Sequence, residues 1–154
     1  MSATTPSRSS PNPCRILLVD DNQLGLIARK TVLEELGYAV TTAMSAHEAL
    51  DEFSNGAYDL VITDYKMPRM NGKELIERVR KQAPAVPVIL LSGFVDALGL
   101  DEKSTGADIV IQKSANEVAH LLCSVKRLLS RKPPKKPAAV ERPATVARAN
   151  RKSV

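Results

Sequence analysis

The apolar run Ile16-Leu17-Leu18-Val19 leads directly into Asp20 and Asp21, and the run Leu60-Val61-Ile62-Thr63 leads into Asp64. Short continuous apolar runs are the pattern of strands buried on both faces of a parallel sheet. In an open α/β sheet, ligands bind outside the carboxyl ends of the strands. Three carboxylates converging at such an edge require a cation, a phosphate chemistry, or both. Two carboxylates about 5 Å apart repel by roughly 3 kcal/mol at an effective dielectric of about 20.

Other polar groups follow the remaining apolar runs. Val88–Leu91 is followed by Ser92-Gly93, and Ile109–Ile111 by Lys113. One lysine cannot offset three acids, but a hard divalent cation can. Carboxylate, carbonyl and water form a magnesium-type ligand set. With Mg²⁺ bound, one aspartate can act as a nucleophile toward phosphorus. Lys113 and Ser92 would then hold the phosphoryl oxygens, one by charge and one by hydrogen bond.

The elements that must position these groups alternate. Strands are predicted at about Arg15–Val19, Ala39–Ala43, Leu60–Thr63, Val88–Leu91 and Ile109–Ile111. The first helix starts near Asn22, capped by Asp21 or Asn22, with Leu24, Ala28, Val32 and Leu36 spaced by four and Gly37 at its end. The second follows Ser45, with Glu48 in a capping-box position. The third runs from about Gly72 to Lys81. The fourth is placed at Asp96–Lys103, across Gly99. The fifth runs from about Asn116 to Leu129, with Val118, Leu121, Leu122, Val125 and Leu128 as its apolar stripe. Five such units imply an α/β fold: a doubly wound five-stranded parallel sheet with helices on both faces. Strand order 2-1-3-4-5 would set its reversal point beside the aspartates.

Composition separates the ends from this body. The chain has 154 residues, 44% of them hydrophobic, and a net charge of +5. Residues 131–154 carry eight Lys/Arg and one Glu, giving +7. With Arg8 also set aside, residues 14–130 are left at −3. Three segments are therefore expected: a disordered extension over 1–13, one domain over 14–130, and a basic Pro/Ala-rich disordered tail over 131–154. The extension lacks the apolar region of a signal peptide, and no run is long enough to span a membrane. The tail would attract nucleic acid or anionic lipid weakly, and with no aromatic to stack it would not recognise a specific sequence. Cys14 and Cys123 have no metal-ligand spacing and read as ordinary thiols, Cys123 near the core. Met67 and Met70 are expected to pack the loop after Asp64.

Residues 14–130 resemble the receiver domain of two-component response regulators, of the chemotaxis-regulator type with its flavodoxin-like fold. The resemblance is carried by LLVDDN, VITDYKMPRMNG, LLSG and IVIQK. It implies that Asp64 accepts a phosphoryl group from a sensor histidine kinase or phosphotransfer protein. Asp21 would be the direct magnesium ligand, with Asp20 acting largely through water and Lys66 offering its backbone carbonyl. Ser92 would move onto the phosphoryl group, Gly93 would leave access to it, and Lys113 would pair with it. The resemblance also implies signalling by protein contact to an unidentified output partner in the cytoplasm. No external metabolite would be turned over.

Two positions depart from the family. Ser114 stands where a cis-proline is usual, and a non-proline cis bond costs about 2.5–4 kcal/mol, so a trans Lys113-Ser114 bond is expected. Val110 stands where a switch aromatic is usual, with Phe94 a possible substitute. These departures leave a non-switching scaffold or binding module as the alternative. A small Asp-nucleophile phosphatase is disfavoured, because Lys66 occupies the place of a second acid.

Overall fold

The computed structural model describes residues 13–93 and 95–130. The expected extension, save Pro13, and the basic tail with its nucleic-acid contact lie outside the described residues. So does Phe94.

Five parallel strands form one sheet in the order β2-β1-β3-β4-β5. They are β1 (Arg15–Val19), β2 (Ala39–Ala43), β3 (Leu60–Asp64), β4 (Val88–Ser92) and β5 (Ile109–Gln112). The helices are α1 (Gln23–Glu35), α2 (Ala46–Asn55), α3 (Gly72–Gln82), α4 (Val95–Leu98), α5 (Glu102–Thr105) and α6 (Glu117–Ser130). The expected order and the reversal between β1 and β3 are both present.

Both faces of the central strands are buried, as unbroken apolar runs require. Leu17, Val19, Val61, Val88 and Leu90 pack with Ala49 and Phe53 of α2 and with Leu75, Ile76 and Val79 of α3. Their alternating neighbours Ile16, Leu18, Ile62, Ile89 and Leu91 point to the opposite face and are equally inaccessible. On that side α1 packs against β1 and β2. The chain divides into two compact units after Ser124. The first carries the sheet. The described part of the second is the end of α6, where Val125, Leu128 and Leu129 are buried.

Local signals set most boundaries. Asn22 caps α1, its side chain accepting from Gly25 N–H, and Gly37 follows the helix at φ +97°. Ser45 caps α2, but Glu48 reaches past it to Met44 N–H at 2.8 Å. Asn71 and Glu74 form a full capping box on α3.

Three expectations need correction. The expected fourth helix is two short ones, because Gly99 turns left-handed at φ +64° and Asp101 caps a new start by accepting from Ser104 N–H. The buried face of α1 is Leu26, Arg29 and Leu33; Leu24 and Leu36 are exposed. A spacing of four on a helix of 3.6 residues per turn drifts by about 40° per step, so that series wraps off one face. In α6, Leu121, Val125 and Leu128 are buried, but Val118 and Cys123 are exposed. Val118 lies on the buried side but in the first turn of the helix, whereas Cys123, about 200° round from Leu121, is on the opposite face.

Candidate functional site

Sheet register assembles the site. Val19 pairs with Thr63 across β1 and β3, so Asp20 follows one strand beside Asp64 at the end of the other. Asp64 pairs with Leu91, which puts Ser92 one step further along β4. Ser92 pairs with Gln112, and Lys113 follows, its N–H donating to Ser92 C=O at 2.8 Å. The loop after Asp64 folds back when Gly72 N–H donates to Tyr65 C=O at 2.7 Å, with Met67 and Met70 buried beneath it as expected.

All six residues singled out from the sequence line one open cleft of about 560 Å³: Asp20, Asp21, Asp64, Lys66, Ser92 and Lys113. One carboxylate oxygen from each of Asp20, Asp21 and Asp64 lies within 4.8 Å of the others. Asp20 and Asp64 are buried and Asp21 is exposed. Because Asn22 takes the capping role on α1, the Asp21 carboxylate is not needed as the helix cap. Three hard oxygen donors at this spacing fit a hexacoordinate, oxygen-loving divalent cation.

Lys113 Nζ lies 2.8 Å from Asp64 Oδ1 and 3.6 Å from Asp20 Oδ2. It does so with a trans Lys113-Ser114 bond, since the described residues contain no cis peptide. Burial pushes the Asp64 carboxyl above the ordinary carboxylate range; the hydrogen bond from Lys113 pulls it down, while the charges of Asp20 and Asp21 push it up. A buried carboxylate with one cation on one oxygen and an open cleft before it is suited to nucleophilic attack once positive charge is added. A Cβ on Gly93 would meet nothing within 4 Å, so that position leaves the mouth of the cleft open.

Two charged residues escaped the sequence reading. Arg29 Nη1 donates to Asp20 Oδ2 at 2.8 Å, and Arg29 Nε donates to Glu117 Oε2 at 2.6 Å. The available signal was a charge at position 29 between Leu26 and Leu33, inside what proves to be the buried stripe. Val110, in the place of the usual switch aromatic, is half-buried against the core, its N–H held by Glu102 at 3.0 Å.

Comparison with known proteins agrees with this geometry. Residues 16–124 match the family model described as the response regulator receiver domain. The chain is 36% identical over 121 residues to the gliding motility regulatory protein of Myxococcus xanthus, covering 74% of this chain and 15% of that protein. It is 35% identical over 101 residues to the aerobic respiration control sensor protein ArcB of Escherichia coli K12, covering 64% of this chain and 13% of that protein. The chain thus spans about a seventh of the length of these two relatives. Among solved structures, it is similar to the response regulator protein TrrA of Thermotoga maritima in complex with Mg²⁺-BeF. That match has a TM-score of 0.68 and 38% identity, and covers 75% of this chain and 99% of the other.

Proposed function

This chain belongs to the response regulator receiver domain family of two-component signalling, and we propose that it stores a phosphoryl group on Asp64 and signals by protein contact. The observation that carries this reading is the pairing of Lys113 Nζ with Asp64 Oδ1 at 2.8 Å beside three carboxylate oxygens within 4.8 Å of one another. The TrrA relative, solved with Mg²⁺-BeF, supports it.

Asp21, Asp20, Asp64 and the backbone carbonyl of Lys66 would hold Mg²⁺. When bound, the ion supplies the positive charge that three carboxylates and an incoming phosphoryl group lack. An Asp64 oxygen attacks phosphorus in a phosphohistidine of a sensor kinase or phosphotransfer protein. The phosphorus–nitrogen bond breaks, and imidazole leaves as the acyl phosphate forms. Lys113 neutralises a phosphoryl oxygen, and the Ser92 hydroxyl donates to another. The relation to a sensor protein supports a kinase as donor. The chain would act in the cytoplasm. No helix of the described residues is long and apolar enough to cross a membrane.

Beryllofluoride, an inorganic mimic of a phosphoryl group, tests the site directly. Mg²⁺ and beryllofluoride together are expected to raise the unfolding midpoint by about 5–10 °C, as a ligand well above its dissociation constant does. Mg²⁺ alone should give a smaller rise, and beryllofluoride alone none. No shift, or an equal shift in Asp64→Asn, would count against the reading.

A further inference from the structure

Among the described residues, Arg29 is the only buried basic side chain, at 7% exposure. It is held on two sides, by Asp20 at 2.8 Å and by Glu117 at 2.6 Å. The planar fork of a guanidinium can engage two carboxylates at once. Gly25, one turn earlier on α1, makes the room. A Cβ there would lie 3.0 Å from Arg29 Nη1 and 3.5 Å from Asp20 Oδ2. Glycine inside a helix is unfavourable relative to alanine, so this gap has a local use.

We propose that Arg29 competes with a divalent cation for Asp20, and so acts as a positioning residue that sets the metal affinity of the site. The proposal rests on reading the three aspartates as a cation site. Both oxygens of Asp20 are already engaged: Oδ1 accepts from Asn22 N–H at 3.0 Å, and Oδ2 faces Arg29 at 2.8 Å and Lys113 at 3.6 Å. A divalent ion drawing on Asp20 through Oδ2 must share that oxygen with two resident cations or displace one. Arg29 is buried, so its charge is poorly screened and opposes a second cation nearby. Glu117 works the other way. Its carboxylate offsets part of the guanidinium charge and gives Arg29 somewhere to stay when Asp20 turns toward a metal. A metal ligand at the end of β1 is thereby tied to the first residue of α6.

The two members of the Arg29–Glu117 pair give opposite expectations. Arg29→Met removes the nearer of the two cations on Oδ2, leaving Lys113 at 3.6 Å. Glu117→Gln leaves the full guanidinium charge beside Asp20. The test is calorimetric titration of Mg²⁺ into the full, unphosphorylated chain and its variants. Arg29→Met is expected to lower the dissociation constant about tenfold, and Glu117→Gln to raise it about threefold. Arg29→Lys keeps a charge near Asp20 and should stay within about twofold of the unaltered chain. The double variant Arg29→Met/Glu117→Met leaves no half of the pair buried alone, which guards against a folding defect; it should bind about threefold tighter. A merely structural Arg29 would weaken binding in every variant. An unchanged or raised dissociation constant in the double variant, or a lowered one in Glu117→Gln, would overturn the proposal. Equal Mg²⁺ binding throughout overturns it alone, whereas no binding in any chain overturns the cation-site reading with it.

Discussion

Gly72→Ala is expected to lower the unfolding midpoint by about 15 °C, the equivalent of about 3–5 kcal/mol in a domain of this size. A Cβ at Gly72 would stand 2.5 Å from Asp64 C=O, 2.8 Å from Leu90 Cδ1 and 3.0 Å from Tyr65 Cα. Two of the three are backbone atoms, so no rotamer change relieves the clash. Moving α3 away would break the 2.7 Å hydrogen bond from Gly72 N–H to Tyr65 C=O, which closes the loop carrying Lys66 to Met70. That bond is worth about 1 kcal/mol net. The loss is a large share of a typical stability of about 5–15 kcal/mol. Thermal unfolding followed by circular dichroism measures it, and a shift below about 3 °C would show that the close approach is not rigid.

Lys113→Met should slow phosphoryl uptake at Asp64 about a hundredfold, equivalent to about 2.7 kcal/mol of barrier. Methionine keeps the length and apolar stem but removes the charge. The substitution takes away the 2.8 Å partner of Asp64 Oδ1. It also removes the hydrogen bond that pulls the raised Asp64 carboxyl back down. The fold itself should change little, because Lys113 is half-buried at the rim. The measurement is the initial rate of acetyl phosphate labelling at saturating Mg²⁺. A rate within threefold of the unaltered chain would remove Lys113 from the chemistry.

The strands and the site were legible because both rest on strong local signals. Unbroken apolar runs such as Leu17–Val19 and Val88–Leu91 admit burial on both faces, and the residue after each run must emerge at the sheet edge. Asp20 and Ser92 are placed by that rule, and Lys113 comes one residue further on, after Gln112. What was not legible depended on the phase of a helix or the geometry of a single residue. The four-residue spacing of Leu24 to Leu36 looked like a stripe, but the buried face of α1 includes Arg29, which an apolar count passes over. Its partner Glu117 is 88 residues away, so only the fold could reveal the pair. Gly99 broke a helix because its φ is positive, and a glycine's φ is not written in its type. Val110 carries no ring to rotate, while the Asp20–Arg29–Glu117 chain offers the site a different physical link to α6.

The central claim is that Asp64 is the phosphoacceptor. It is tested most directly by intact mass after incubation with acetyl phosphate and Mg²⁺. One phosphate should appear on the unaltered chain, stable in acid and labile in base, and Asp64→Asn should carry none. Absence of the adduct on the unaltered chain, or its persistence in Asp64→Asn, would contradict the account.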